Sequence, residues 1–210
     1  MKKLLLTFVL LTLLDATFAQ TNTAWSWFST SGVASNAPGR QLVDMTTDGN
    51  GNVYAIGRFM GTLTIGGLSV STSGDGTANA NYDEDAFVVK YNAAGVAQWL
   101  KRLGKVGTAN NEWASVITVD ANGNAYVGIT NGGVSIGGLN FLTKFDTNGN
   151  QLWSACDYSI SGVAVRGNAV WVTGNNQIKK LDLDGNEQWT VTNAGTGAAD
   201  NFVDTDGNAY

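Results

Sequence analysis

Short apolar runs alternate with polar turns from about residue 40 onward, and this pattern predicts β-strands. Residues 87–91, for example, read Phe-Val-Val-Lys-Tyr and place apolar side chains on both faces of an extended strand. A strand of this kind needs cover on both sides, as it has when sheets stack face to face. No run after residue 19 shows the 3.6-residue period of an amphipathic helix. The pattern therefore predicts an all-β protein.

A ten-residue pattern occurs three times with unchanged spacing, at 90–99, 144–153 and 180–189. Each copy has Lys, a large apolar residue, Asn or Asp, then Gly, then Trp. Two apolar runs around a Gly-containing turn predict a β-hairpin. We interpret its Trp as packing between neighbouring sheets and its Lys as a strand residue near the turn. The residues of this structural repeat are Lys90, Gly95, Trp99, Lys144, Gly149, Trp153, Lys180, Gly185 and Trp189.

A second pattern, Gly-Asn followed by an apolar and an aromatic residue, interleaves with the first. It occurs at 51–54, 123–126 and 207–210, with a variant at 167–171 whose aromatic residue comes one position later. One hairpin of each kind makes a unit of four strands. Units of 36 to 54 residues, measured between successive repeat Trp residues, have the size of a propeller blade. We therefore predict a β-propeller with four-stranded antiparallel blades, about three of them complete and others partial, in an incomplete ring.

The repeats divide the propeller segment, residues 20–210, into blades at about 40–103, 113–157 and 160–192. A partial blade is expected at 199–210 and an N-terminal closing strand at about 24–29. Three blades would leave unpaired edges and uncovered apolar faces at both ends of the array. We therefore expect the remaining blades to belong to a longer chain.

Residues 1–19 have the form of a secretory signal peptide. Lys2 and Lys3 form a charged start, residues 4–14 an apolar core, and residues 17–19 a small-x-small cleavage site. Cleavage after Ala19 would export the rest of the chain. We expect a secreted protein, extracellular or at the cell surface, with the periplasm as the alternative, and no membrane span in the mature chain.

Composition narrows the possible functions. The chain has 12 basic and 17 acidic residues, a net charge of −5, so nucleic acid is not an expected partner. It has no histidine, which removes Ser-His and Cys-His arrangements. Cys156 is the only cysteine and is interpreted as a small apolar filler, so no intrachain disulfide is expected. No catalytic or cofactor-binding residue is predicted.

The repeat resembles that of the bacterial seven-bladed β-propeller repeat family. Residues 85–90 followed by Gly95 and Trp99, and then residues 120–126, carry the resemblance, which extends over about 40–210. The Gly-x-x-x-Trp hairpins are also more weakly similar to quinoprotein-like propellers, including outer-membrane assembly lipoproteins. The resemblance implies a secreted or surface protein without an assigned activity.

The resulting expectation is a non-enzymatic binding or scaffold module whose partner is a protein or a polysaccharide. Two alternatives stay open. One is part of a secreted hydrolase or lyase whose catalytic residues lie in further blades, and the other is a quinoprotein-like envelope assembly factor.

Calcium is a weak possibility at the repeated Asp-x-(Asp/Asn)-Gly-Asn turns, because calcium loops place oxygen ligands at alternate positions. The glycine at position six and the glutamate at position twelve of an EF-hand are missing, and Asp and Asn are ordinary turn residues. We therefore favour structural turns and no cofactor. The best calcium candidates by charge are Asp182, Asp184, Asp204 and Asp206.

Two aromatic residues outside the repeat, Trp113 and Tyr82, are weak candidates for ligand binding. The acidic run 83–85 could in principle supply the paired carboxylates of a glycosidase. We interpret Asp83 and Glu84 instead as part of a solvated loop, while Asp85 matches a structural position of the family repeat that the chain resembles.

Overall fold

The computed structural model describes residues 41–72, 84–104, 111–131 and 141–192. In these ranges no helix is long and apolar enough to cross a membrane. The predicted signal peptide, the closing strand at 24–29 and the partial blade at 199–210 lie outside them. The strands of the described ranges are β1 Gln41–Thr47, β2 Val53–Met60, β3 Thr62–Ile65, β4 Leu68–Ser71, β5 Glu84–Tyr91, β6 Ala97–Leu103, β7 Glu112–Val119, β8 Ala125–Asn131, β9 Leu142–Phe145, β10 Gln151–Ala155, β11 Gly162–Arg166, β12 Ala169–Gly174, β13 Gln177–Asp182 and β14 Glu187–Thr192.

Twelve of these strands form three antiparallel sheets of four. Blade 1 has the strand order β1-β2-β5-β6, blade 2 the order β7-β8-β9-β10, and blade 3 the order β11-β12-β13-β14. The first strand of blade 2 lies against the first strands of blades 1 and 3. The prediction of an all-β propeller with four-stranded antiparallel blades is confirmed.

The repeated Asp-x-x-Gly sequences form the turns at one end of each blade. In the turn of blade 2, Asp146 Oδ1 accepts backbone N–H bonds from Asn148 and Asn150, both at 2.8 Å. Asp146 Oδ2 accepts from the Asn150 side chain at 2.8 Å. Gly149 has φ +79°, a conformation that glycine adopts without strain. The same bonds close the turns that begin at Asp48, Asp120 and Asp182.

In blades 1 and 2, two side chains donate to one backbone carbonyl of the following blade, an arrangement that we call the carbonyl clamp. Lys90 Nζ and Trp99 Nε1 reach the Thr147 carbonyl oxygen at 3.0 and 3.1 Å. Lys144 Nζ and Trp153 Nε1 reach the Leu183 carbonyl oxygen at 2.7 and 2.9 Å. Thr147 and Leu183 each follow the aspartate of their turn, so the acceptor has the same position in both repeats. The repeat in the sequence therefore produces the same contact at both blade interfaces.

The turn glycine lets the tryptophan approach. A Cβ atom on Gly149 would lie 2.8 Å from the Trp99 ring, and one on Gly185 would lie 2.9 Å from the Trp153 ring. A register shift between the third and fourth strands of each blade leaves one extra residue before the tryptophan. Such a bulge redirects the side chain that follows it. The tryptophan therefore faces the next blade although the turn itself is regular.

An aromatic ring lies beneath each clamp lysine. Lys90 Nζ is 5.2 Å from the centre of the Tyr54 ring, and the Tyr54 hydroxyl donates to the Gly123 carbonyl of blade 2 at 2.9 Å. In blade 3, Lys180 Nζ lies 4.9 Å from the Trp171 ring. Trp171 comes one position later after its Gly-Asn pair than Tyr54 does, but the turn before β12 is shorter than the turn before β2. As a result Trp171 lies opposite Lys180 in the same way as Tyr54 lies opposite Lys90.

The third copy of the clamp is open. Trp189 is 39% exposed, compared with 6% for Trp99. Within the described part of the chain no carbonyl accepts its indole N–H. Val191, two residues further along β14, is also exposed. The outer half of this face of blade 3 is therefore uncovered.

Strands β3 and β4 form an additional hairpin between the second and third strands of blade 1. Gly66 and Gly67, with φ +57° and +84°, make its turn. Leu63 and Ile65 are buried in a core with Phe87 and Leu100, separate from the main core.

We predict that the clamp hydrogen bond stabilises the protein where it is closed and not where it is open. Trp99→Phe removes a buried indole N–H bond and is expected to lower the free energy of unfolding by about 1–2 kcal/mol. Trp189→Phe is the matched control and is expected to change it by less than about 0.5 kcal/mol. Urea unfolding measures both. Equal losses in the two variants would contradict the prediction.

We predict a pH dependence from the turn aspartates. Hydrogen bonds from the Asn150 side chain and from turn N–H groups hold the pKa of Asp146 below its ordinary value. A carboxyl whose pKa is lowered by folding stabilises the protein above its unfolded pKa, about 3.9, and loses that contribution as the pH falls through its folded pKa. Asp146→Asn should therefore be destabilising near pH 6 and much less so below about pH 3.

Urea unfolding between pH 2.5 and 6 tests this dependence. Asp157→Asn changes an exposed aspartate outside the turns and serves as the control. A difference between wild type and Asp146→Asn that stays constant with pH would show that the charge of the turn carboxylate does not matter.

Candidate functional site

Four side chains from β1, β2, β5 and β7 meet at the end of the blades opposite the Asp-x-x-Gly turns. We call Gln41, Arg58, Glu84 and Trp113 the rim cluster. Glu84 opens β5, and Trp113 is the second residue of β7. The cluster therefore joins blades 1 and 2.

Strand register explains why the first three members share a face. Gln41 lies directly opposite Arg58 in the β1–β2 ladder. Arg58 lies opposite Ala86 in β5, and Glu84 is two residues away from that position. Residues directly opposite, or displaced by two, point to the same side of a sheet. Trp113 completes the group from the first strand of blade 2.

Arginine is the centre of the cluster. Arg58 Nη2 donates to Gln41 Oε1 at 2.7 Å, and Nη1 lies 3.3 Å from Glu84 Oε2. The guanidinium carbon lies 4.9 Å from the centre of the Trp113 ring, within the range of a cation–π contact. Trp113 Nε1 donates to the same Glu84 oxygen at 2.8 Å. A cation, an anion and an indole are thus held in one fixed arrangement.

The cluster remains accessible to ligands. The side chains of Arg58 and Glu84 are 29% and 14% exposed, and Trp113 is half-buried. An ion pair at this exposure contributes about 0–1 kcal/mol to stability, so its stabilising effect is small. The combination of an indole with charged groups that offer hydrogen bonds suits either a sugar face or a protein side chain.

The structure corrects the interpretation of Glu84 as part of a solvated loop. Glu84 and Asp85 both belong to β5 and point to opposite sides of it. Asp85 is completely buried and is paired with Arg102 at 3.0 Å, while Glu84 pairs with Arg58. The run therefore forms two separate ion pairs, and the third member, residue 83, lies outside the described residues.

The calcium candidates are only partly described. Asp182 accepts turn N–H bonds through Oδ1 and the Asn186 side chain through Oδ2. Asp184 donates its backbone N–H to Asp182 and is exposed. Within the described residues no group of three His, Cys, Asp or Glu residues is arranged to hold a metal ion. Asp204, Asp206 and the aromatic candidate Tyr82 lie outside them.

Cys156 is a half-buried free thiol that follows β10. Burial raises its pKa, which reduces the thiolate fraction that a nucleophile would need.

Among the members of the rim cluster, the sequence analysis singled out Trp113 as a binding candidate and missed Arg58. The available signal was that Arg58 is the one charged residue in the otherwise uncharged β2 sequence.

Comparison with known proteins gives matches among solved structures. No family model matches the chain, and no curated protein matches it. The structure is similar to that of a periplasmic gluconolactonase from Pseudomonas aeruginosa, with 11% sequence identity and a TM-score of 0.43. The match covers 77% of this chain and 56% of that protein. The chain thus spans little more than half the length of this structural neighbour.

Proposed function

We propose that the protein is an exported β-propeller repeat protein, secreted or held at the cell surface, that acts as a non-enzymatic binding or scaffold module for a protein or a glycan. The rim cluster is the observation that carries this proposal. It presents an indole and a guanidinium on a rigid sheet end. Trp and Arg are the side chains that most often dominate binding energy at interfaces.

Rigidity supports this role. Glu84 is positioned by its neighbours from several directions, because its backbone N–H donates to Asn111 Oδ1 at 3.1 Å. Its carboxylate accepts from both Arg58 and Trp113. A side chain that is fixed before binding loses little conformational entropy when a ligand arrives. Within the described residues the two alternatives, a hydrolase or lyase and an envelope assembly factor, have no comparable group of side chains in their favour.

We predict that Trp113 supplies a large part of the binding energy. The exported chain is expected to bind members of a glycan array, or purified surface proteins, without chemical turnover. Trp113→Ala should weaken that binding at least about tenfold, as expected for the loss of a central aromatic contact. Titration calorimetry with the best array ligand gives the affinity.

Trp189→Ala is the matched control, because it removes a more exposed tryptophan at the opposite end of the blades. It should leave the affinity unchanged. Arg58→Gln serves as a second test and should also weaken binding, since it removes the charge and leaves a shorter side chain that still carries an N–H donor. Equal effects of Trp113→Ala and Trp189→Ala, or conversion of the ligand into product, would contradict the proposal.

A further inference from the structure

A cavity lies at the end of the blades opposite the rim cluster, between the outer hairpins of blades 1 and 2. Its volume is about 260 Å³, and it is lined by Lys90, Gln98, Trp99, Thr147 and Asn148. None of these five side chains is a carboxylate. Gln98, Thr147 and Asn148 are exposed around the opening, while Lys90 is only 8% exposed.

Lys90 presents a positive charge to this cavity. An ammonium group has three N–H donors. One of them reaches the Thr147 carbonyl at 3.0 Å, and the Tyr54 ring lies 5.2 Å from the nitrogen. Neither contact neutralises the charge. A buried ammonium beside a polar cavity favours an anion there, because the surrounding low dielectric strengthens their attraction.

Of the five lining side chains, Lys90 alone is charged. The stem of Lys101 lies along the turn of blade 2, since a Cβ atom on Gly149 would lie 3.0 Å from Lys101 Cε. Asp146, the aspartate of that turn, already accepts three hydrogen bonds from its own turn. The charges near the cavity are therefore mixed. Lys90 and Lys101 are cations, while Asp146 and Asp48 are carboxylates whose oxygens accept hydrogen bonds from the neighbouring turn groups and, for Asp48, from the Tyr54 hydroxyl.

The interface between blades 2 and 3 provides an internal comparison. Its clamp is the same, with Lys144 and Trp153 donating to Leu183. The position of Asn148 is taken there by Asp184, and the position of Lys101 by Ala155. In both interfaces burial and two nearby carboxylates raise the pKa of the tyrosine beneath the clamp lysine, Tyr54 in the first and Tyr126 in the second. A difference lies at one turn position, where the second interface has the carboxylate of Asp184 and the first has the amide of Asn148.

We propose that the cavity between blades 1 and 2 binds a small oxyanion, a carboxylate or phosphate group. The Lys90 ammonium provides the charge, and the amide groups of Gln98 and Asn148 provide neutral N–H donors at the opening. This site is separate from the rim cluster and does not depend on the function proposed for it.

The experiment is an NMR titration of the whole chain with sodium phosphate and, separately, sodium acetate, at ionic strength held constant with sodium chloride. The Trp99 indole N–H and the Asn148 side-chain amide are expected to shift and to saturate with a Kd on the order of 1 mM. Tighter binding of phosphate would identify the preferred ligand as a phosphate group, and tighter binding of acetate would identify it as a carboxylate. Shifts that stay linear, or that sodium chloride alone reproduces, would overturn the proposal.

Asn148→Asp tests the site without disturbing the fold, because Asp184 occupies the same turn position in blade 3. It should weaken oxyanion binding at least about tenfold. Asn122→Asp places the same charge in an exposed turn that does not line the cavity, and it should keep the wild-type affinity. Equal affinities for these two variants would show that only the net charge matters, and would overturn the proposal.

Discussion

The architecture depends on a single kind of contact, in which a lysine and a tryptophan of one blade donate to the same carbonyl of the next. The Thr147 and Leu183 carbonyls each receive both donors. A backbone carbonyl oxygen has two lone pairs, so this geometry saturates the oxygen and satisfies the indole N–H. The contact also fixes the distance between blades, since the tryptophan ring lies against a turn glycine that has no space for a side chain.

The two sites depend on this contact in different ways. The oxyanion cavity is built from the clamp itself, because Lys90 and Trp99 form part of its wall. The rim cluster lies at the opposite end of the same two blades and needs β7 to stay close to β2 and β5. The first strands contribute to this spacing, since the Ile117 N–H donates to Asp44 Oδ2 across the blade interface at 3.0 Å.

Local sequence patterns predicted the blades but not the contacts between distant residues. The hairpins could be predicted because aspartate, glycine and alternating apolar residues act within about ten residues of one another. The bulge before each tryptophan could not, because a shift of one residue is visible only when two strands are paired. The rim cluster could not be predicted from any spacing in the sequence, because Arg58, Glu84 and Trp113 come from three strands that are far apart along the chain.

Hydrogen exchange of the indole N–H groups tests the carbonyl clamp most directly. Nitrogen-15 NMR resolves each tryptophan, and single Trp→Phe variants assign the signals. If the clamp holds the blades together, the indole protons of Trp99 and Trp153 should exchange with solvent at least about tenfold more slowly than that of Trp189. Equal exchange rates for the three indoles, or faster exchange at Trp99 than at Trp189, would contradict the account.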